Sequence, residues 1–230
     1  MIRRNNSVHG VVFDFDGIVV DSEHIWENAW GAYSERHGRS FSPEDAMTLQ
    51  GLSTKEWSAK LAELVGGGDD AETVAKFCVA RYVVDVVGGD GPLLEGALEL
   101  IETVSARVPI ALASSSPRQG LDAALNHHGV AKYFTATVSS EEVPRGKPSP
   151  DVYLEAARRI GLDPAYGIGI EDSSNGIRAA KAAGLEVVAL PNRIYPPKPD
   201  ALALAEFQAA DHGQVLDYVI QRIGAREDHS

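Results

Sequence analysis

The second half of the sequence alternates helical patterns with short apolar runs, and this alternation is the feature that most limits the possible folds. Four such runs, within VPIALASSS, YFTATVSS, YGIGIED and LEVVALPN, each follow a helical pattern. Short apolar strands separated by helices are typical of a parallel sheet that is covered on both faces. A further apolar run, VHGVVFDF, lies near the start of the chain and is predicted to join the same sheet. The predicted fold class is therefore α/β with a parallel sheet.

The stretch between the first strand and the alternating half carries helical patterns only. Ser42 and Ser53 are predicted helix N-caps, because an acidic residue follows each of them three positions later. We predict that residues 23–91 form an all-helical cap, inserted into a core that comprises residues 1–22 and 92–230. The segments VVDSE and GGDGPLLEG join the two parts and are the predicted hinges.

Charge and cysteine content exclude several classes of protein. The 230 residues include 33 acidic and 21 basic side chains, which gives a formal net charge of −12. Such a surface repels nucleic acids and anionic membranes, so neither is an expected partner. Cys78 is the single cysteine, which rules out an intramolecular disulfide and favours a reducing compartment. We therefore predict a cytoplasmic location.

Polar residues follow the predicted core strands at the points where they end. Taken singly, paired serines are common helix N-caps, GKP is a common turn, and the ED of GIEDSSNG is as well explained as a cap. In an open parallel sheet, however, the carboxyl ends of the strands meet at one edge, where ligands bind. The residues predicted to converge there are Asp14, Asp16, Ser114, Ser115, Ser116, Lys147, Glu171 and Asp172.

The residue types in this set indicate phosphoryl transfer. The four acids Asp14, Asp16, Glu171 and Asp172 form a hard oxygen donor set that suits Mg²⁺, and a cation would relieve their mutual repulsion. Serine hydroxyls, a lysine and helix N-terminal N–H groups can bind a phosphate. One carboxylate can act as a nucleophile, and a second carboxylate two residues later can move a proton.

Four segments resemble the motifs of one known superfamily. DFDGIVVDSE, ASSS, GKPSPDVY and GIEDSSNGIRAAKAAG are similar, in order and spacing, to those of the haloacid dehalogenase (HAD) superfamily. In order and spacing they resemble its β-phosphoglucomutase and phosphoglycolate phosphatase-like branch, and the resemblance covers nearly the whole chain. It implies a Rossmann-like core and a helical cap after the first strand.

The resemblance also implies roles for the acidic motif residues. Asp14 would be the nucleophile that becomes phosphorylated. Asp16 would be the general acid and base, with its backbone carbonyl on Mg²⁺. Asp172 would be a metal ligand, with Glu171 beside it in the metal shell.

The remaining motif residues are expected to bind the phosphate. By the same resemblance, Ser114 and Lys147 would hold the transferring phosphoryl group, and the backbone at Gly17 and Ser115 would contact it. The implied cofactor is Mg²⁺, the implied partner is a small phosphorylated metabolite, and members of this branch are often monomers.

Several residues favour a phosphatase over the other activities of the superfamily. Dehalogenases generally lack an aspartate equivalent to Asp16. β-Phosphoglucomutases have a histidine where Trp26 stands and an arginine where Thr54 stands, and they need cations for a second phosphate, for which this cap offers Lys55 and Lys60. We predict a Mg²⁺-dependent phosphatase of a small phosphomonoester, such as a sugar phosphate, that works through an aspartyl-phosphate.

Two alternatives to the phosphatase stay open. One is a β-phosphoglucomutase-like phosphosugar mutase. The other is a catalytically silent binding protein with the same fold, although the intact set of motif residues speaks against it. Substrate selection is expected from residues near the cap opening, where plain core packing is the competing interpretation for the tryptophans. The candidate substrate contacts are His24, Trp26, Gln50, Gly51, Lys55, Ser116 and Arg118.

Overall fold

The core of the protein is a single parallel sheet. The computed structural model describes residues 7–224, and within them the strand order is β3-β2-β1-β4-β5-β6. At its centre, Val11 pairs with Ile110 on one side and with Ile168 on the other. The prediction of an α/β fold with a parallel sheet is confirmed. The strands are β1 (Gly10–Phe13), β2 (Ile110–Ser114), β3 (Ala136–Ser139), β4 (Gly167–Glu171), β5 (Glu186–Ala189) and β6 (Phe207–Gln208).

Helices cover both faces of the sheet, which is why its strands are apolar throughout. Val11 and Phe13 of β1 point into a hydrophobic cluster on one face, whereas Val12 points into a second cluster on the other face. The strand β6 was not predicted, because its two residues carry no apolar run and one of them, Gln208, is exposed. The core helices are α5 (Ala97–Ser105), α6 (Arg118–His127), α7 (Asp151–Arg159), α8 (Ser174–Ala182), α9 (Pro199–Leu202) and α10 (His212–Ile223).

Four further helices lie between β1 and α5 in the chain, as the predicted insertion requires. The N-caps predicted at Ser42 and Ser53 are confirmed, and their backbone N–H groups donate to Asp45 at 3.0 Å and to Glu56 at 2.9 Å. We call these four helices the cap helices. They are α1 (Glu23–Arg36), α2 (Pro43–Leu49), α3 (Thr54–Val65) and α4 (Ala71–Gly88).

Aromatic packing holds the cap helices together and brings them against the core. Trp26 stacks on Tyr82 with the ring centroids 4.2 Å apart, and Trp30 and Trp57 pack beside them. Tyr82 also packs against α6, where a Cβ on Gly120 would lie 3.2 Å from its ring. None of the described helices is both long enough and apolar enough to span a membrane.

Candidate active site

The site lies at the carboxyl ends of β1 and β4, which are neighbours at the centre of the sheet. The strand order reverses there, and such switch points are where open α/β sheets bind ligands. Asp14 directly follows β1, and its backbone N–H donates to the carbonyl of Ile170 at 2.9 Å. Glu171 ends β4, and Asp172 follows it. The topology therefore brings together two motifs that are more than 150 residues apart.

Three buried carboxylates meet at this point. Asp14, Glu171 and Asp172 each offer an oxygen, and these oxygens all lie within 4.8 Å of one another. The buried ammonium of Lys147 lies 2.7 Å from Asp14 Oδ1 and 2.6 Å from Glu171 Oε1. When all three carboxylates are ionised they carry a charge of −3, and this one cation neutralises only part of it. The donor set consists of hard oxygens with excess negative charge, and it fits a divalent cation.

Burial and the neighbouring negative charges raise the pKa values of the two aspartates in the cluster. Burial and the neighbouring Glu171 raise the pKa of Asp14 to about 7. Burial and the neighbouring carboxylates of Asp14 and Glu171 raise the pKa of Asp172 well above its usual value. Burial lowers the pKa of Lys147, but the adjacent carboxylates outweigh this effect and raise it above the usual value. The lysine therefore stays charged, whereas the aspartates hold their protons more tightly than free carboxylates do.

Glu171 holds other residues of the site in place by hydrogen bonds, and its own oxygens have little free capacity to bind a metal. Its Oε1 accepts hydrogen bonds from Lys147 and from the phenol of Tyr153, at 2.6 and 2.7 Å. Its Oε2 accepts from the backbone N–H groups of Asp172 and Ser173, at 3.1 and 3.3 Å. The oxygens left to hold a metal ion are therefore those of Asp14 and Asp172. Tyr153 was not predicted as a site residue, although it lies within the motif segment GKPSPDVY.

Asp16 stands apart from this cluster in its contacts. Its carboxylate accepts hydrogen bonds from Ser22 Oγ at 2.5 Å and from Ser116 Oγ at 2.6 Å, and Ser114 Oγ lies 3.5 Å away. Asp16 and Asp14 both line the same cavity. Two carboxylates separated by one residue thus have different surroundings, one beside an ammonium and the other between hydroxyls.

The loop after β1 passes close to Asp172. Gly17 has a φ of +78°, and a Cβ at this position would lie 2.1 Å from Asp172 Oδ2. Both the conformation and the close approach require glycine here. Ser115 lines the cavity, whereas Ser114 is fully buried beneath it and its Oγ accepts from the N–H of Ser116 at 2.9 Å.

The cavity above these residues has a volume of about 510 Å³ and lies between the core and the cap helices. Of the candidate substrate contacts, Trp26, Gln50, Gly51 and Ser116 line it. The tryptophan also packs in the aromatic cluster, so cavity lining and core packing are both true of it.

The structure does not bring the other three candidates to this cavity. His24 bonds to the carbonyl of Asp90 at 2.8 Å, where the chain returns from the cap helices to the core. Lys55 is exposed in the first turn of α3. Arg118 donates to the side chain of Thr137 at 2.8 Å and pairs with Asp122.

Several lining residues were not identified from the sequence. Glu23 and Asn192 both reach the cavity, and burial raises the pKa of Glu23 to about 7. Asn175, from the start of α8, donates to the carbonyl of Gly51 at 3.4 Å and so joins the core to the cap. Asn192 stands directly after the last predicted strand, and its position at a strand end was the signal that could have indicated it.

Comparison with known proteins agrees with this geometry. A family model described as haloacid dehalogenase-like hydrolase matches residues 8–184. Validoxylamine A 7'-phosphate phosphatase of Streptomyces hygroscopicus subsp. limoneus is 31% identical over 85% of this chain and 89% of its own length. Fructose-1-phosphate phosphatase YqaB of Escherichia coli is 28% identical over 78% of this chain and 94% of its own length.

A solved structure shares the whole fold. The β-phosphoglucomutase of Clostridium difficile superposes with a TM-score of 0.80 at 23% identity, over 94% of this chain and 97% of that one. At this level of identity the likeness shows the fold, including the helices inserted after β1. The matched family model covers well over half of the chain and includes all four motifs. The chain therefore belongs to the haloacid dehalogenase-like hydrolase family, and it is a phosphoric monoester hydrolase of that family.

Proposed function

We propose that this protein is a Mg²⁺-dependent phosphatase that hydrolyses a small phosphomonoester, such as a sugar phosphate, through an aspartyl-phosphate on Asp14. The observation that carries the proposal is the direct contact of Asp14 with Lys147, 2.7 Å apart in a buried carboxylate cluster that opens to the cavity. A buried carboxylate beside a fixed ammonium is placed to attack a phosphorus atom. The ammonium attracts the phosphoryl oxygens and so brings the phosphorus in front of the attacking carboxylate oxygen.

In the first step, an oxygen of Asp14 attacks the phosphorus and the bond to the leaving oxygen breaks. Asp16 gives its proton to that leaving oxygen, which departs as an alcohol. In the second step, the Asp16 carboxylate takes a proton from water, and the water oxygen attacks the phosphorus. Asp14 is released as a carboxylate, and inorganic phosphate forms. The hydroxyls of Ser22 and Ser116 orient Asp16 for both transfers.

The same cluster is the proposed cofactor site. Asp14 and Asp172 would hold Mg²⁺ through their carboxylates, together with the backbone carbonyl of Asp16 expected from the family resemblance. When bound, the ion would neutralise charge on the phosphoryl group and on the carboxylates. Glu171 would act indirectly, by keeping Lys147 and the α8 N-terminus in place.

The cavity supports a sugar phosphate as the substrate. Its 510 Å³ lies in the range of ligand pockets and exceeds what a phosphate alone requires. It is lined by polar groups that can form hydrogen bonds with the hydroxyls of a sugar, including Glu23, Gln50 and Asn175. The apolar faces of Trp26 and Trp57 lie beside them. The two relatives named above act, by their names, on phosphates of a sugar and of validoxylamine A.

The charges around the cavity favour hydrolysis over a mutase reaction. A mutase must bind a second phosphate at the cap side. Among the described residues that line the cavity, the cations are Lys147, Arg178 and Lys198, and all three come from the core. The cap side contributes three tryptophans instead, and its polar lining side chains are those of Glu23 and Gln50. The protein is also proposed to act in the cytoplasm, which the single cysteine supports, and to be a monomer, as members of the resembled branch often are.

The test is phosphate release from a panel of hexose, pentose, nucleoside and glycolate phosphates, with Mg²⁺ and with chelator. Asp14→Asn is the control, and β-glucose 1-phosphate is also assayed for conversion to the 6-phosphate. We expect metal-dependent release that the substitution abolishes. Isomerisation without release would favour the mutase instead. Inactivity on every substrate, together with failure to trap beryllofluoride with Mg²⁺, would favour a silent binding protein.

A further inference from the structure

One side chain joins the carboxylate cluster to the first cap helix. Asn192 lies in the loop between β5 and α9, and its Nδ2 donates to Asp172 Oδ2 at 3.0 Å. The same Nδ2 also donates to Glu23 Oε1, at the first position of α1. A residue of the candidate metal cluster and a residue of the cap therefore share one amide group as their hydrogen-bond donor.

The orientation of this amide is set by the chemistry of its partners. Asn192 Oδ1 accepts hydrogen bonds from the backbone N–H groups of Ile194 and Tyr195, at 2.8 and 2.9 Å. Backbone N–H groups can only donate, so the reversed amide, with its NH₂ group facing them, would lose both of these contacts. Both N–H groups and both lone pairs of Asn192 are thus used, and the loop fixes the side chain at the junction.

A second contact holds the same face of the cap helix. The phenol of Tyr195 donates to Glu27 Oε1 at 2.5 Å. Glu23 and Glu27 are four residues apart on α1, so they lie on one side of the helix, one turn apart. The loop from Asn192 to Tyr195 therefore grips α1 at two successive turns.

We propose that Asn192 is a positioning residue that couples the cap helices to the metal cluster, so that cap closure and the orientation of Asp172 depend on each other. Tyr195 supplies a second hold on the closed cap that does not touch the cluster. This inference rests on the proposed function, because it takes Mg²⁺ to bind at Asp14 and Asp172. Coupling of this kind is reciprocal: if a closed cap favours metal binding, then metal binding favours a closed cap by the same factor.

The reciprocity can be measured without any activity assay. Amide hydrogen exchange in α1 is followed in the full chain with and without Mg²⁺, and Mg²⁺ affinity is measured by calorimetry. In the wild-type protein we expect Mg²⁺ to slow exchange in the first two turns of α1. Asn192→Ala should weaken Mg²⁺ binding about tenfold, as is usual when a partner of a metal ligand is lost. It should also abolish the protection of α1 by Mg²⁺.

Tyr195→Phe separates the two contacts without changing any charge. Exchange in α1 should become about fivefold faster, as expected for one lost hydrogen bond. Mg²⁺ affinity should stay within about twofold of wild type, because a fivefold rise in a small open fraction leaves the closed form dominant. Tyr218→Phe is the matched control, because the Tyr218 phenol also donates to a carboxylate, that of Glu186 at 2.7 Å, but on the far helix α10. Tyr218→Phe should change neither the Mg²⁺ affinity nor the rate of exchange in α1.

Each other outcome counts against the coupling. Binding of Mg²⁺ to the wild-type protein with no change in α1 exchange would overturn the inference and leave the proposed function intact. Protection of α1 that persists in Asn192→Ala would overturn it in the same way. Failure of the wild-type protein to bind Mg²⁺ would overturn the proposed cofactor, and the inference with it.

Discussion

The carboxylate of Glu171 packs directly against the backbone of Gly176, so closely that a Cβ at residue 176 would lie 1.8 Å from Glu171 Oε1. Gly176 is in the first turn of α8, and its N–H donates to Ser173 Oγ at 3.1 Å. The motif glycine thus leaves room for the acid that holds Lys147. A side chain at residue 176 would push Glu171 out of its place and so displace the carboxylate cluster.

Gly176→Ala is therefore expected to lower the free energy of unfolding by about 3 kcal/mol and to abolish activity, because the added methyl group cannot be accommodated without moving Glu171. Urea unfolding measures the stability. Gly88→Ala is the control, since a Cβ on this last residue of α4 would meet nothing within 4 Å. The control should keep wild-type stability or gain up to about 1 kcal/mol. Equal losses in the two variants would contradict the explanation.

Tyr153→Phe tests the hydrogen bond that the Tyr153 phenol donates to Glu171. The phenol donates to a fully buried carboxylate at 2.7 Å, and hydrogen bonds to charged groups are worth about 1.5–3 kcal/mol. We expect a loss of that size in unfolding free energy, with a lower kcat. Tyr133→Phe removes a comparable bond to Glu102 at an exposed site, and it should cost less than about 1 kcal/mol. A smaller loss in Tyr153→Phe than in this control would be evidence against the role of Tyr153.

Asp16→Asn tests the proton transfers. Loss of a general acid and base typically lowers the rate by about 10²–10⁴-fold. With p-nitrophenyl phosphate, whose leaving group needs no proton, the first step should survive and the second should stall. Stopped-flow absorbance should then show a burst of nitrophenolate equal to one equivalent of enzyme. A slow release without a burst would mean that Asp16 serves the first step with this ester as well.

Mg²⁺ should counteract the pH dependence of stability that the apoprotein shows. The pKa of Asp14 rises from 3.8 to about 7 on folding, so the folded protein keeps a proton that the unfolded chain has released. Between these values the apoprotein should become less stable as the pH rises. Because the ion competes with this proton, Mg²⁺ should raise the melting temperature more at pH 8 than at pH 6. Asp14→Asn should lose most of this difference, and an equal effect at both pH values would contradict the cluster as the binding site.

Much of this architecture could be predicted, because the local patterns and the overall fold agree. The apolar strands, the helix N-caps at Ser42 and Ser53 and the polar strand ends each point to one structure. The set Asp14, Glu171 and Asp172 followed from a general rule about the ends of parallel strands, and the structure brings these residues together. The residue types at these strand ends, carboxylates together with serines and a lysine, then limited the predicted chemistry to phosphoryl transfer.

The cap contacts could not be predicted in the same way. On a helix, two residues of displacement turn a side chain to a different face, so Trp26 reaches the cavity while His24 meets the hinge carbonyl of Asp90. Arg118 is held by Asp122, one turn away, and by Thr137 on a neighbouring strand. Contacts such as that between Asn192 and Glu23 depend on how the cap meets the core, which no local pattern records.

The central position of β1 has a consequence for the order in which the protein folds. This strand is synthesised before both of its partners, which follow about 100 and 155 residues later, from Ile110 and from Gly167. Until then it is an apolar segment with two unpaired edges, a form that invites wrong pairing. The cap helices, whose contacts with one another are local, can assemble in that interval. We expect pulse-labelled exchange during refolding to show protection in α1 and α4 before β1, and therefore before Asp14 joins Glu171 and Asp172.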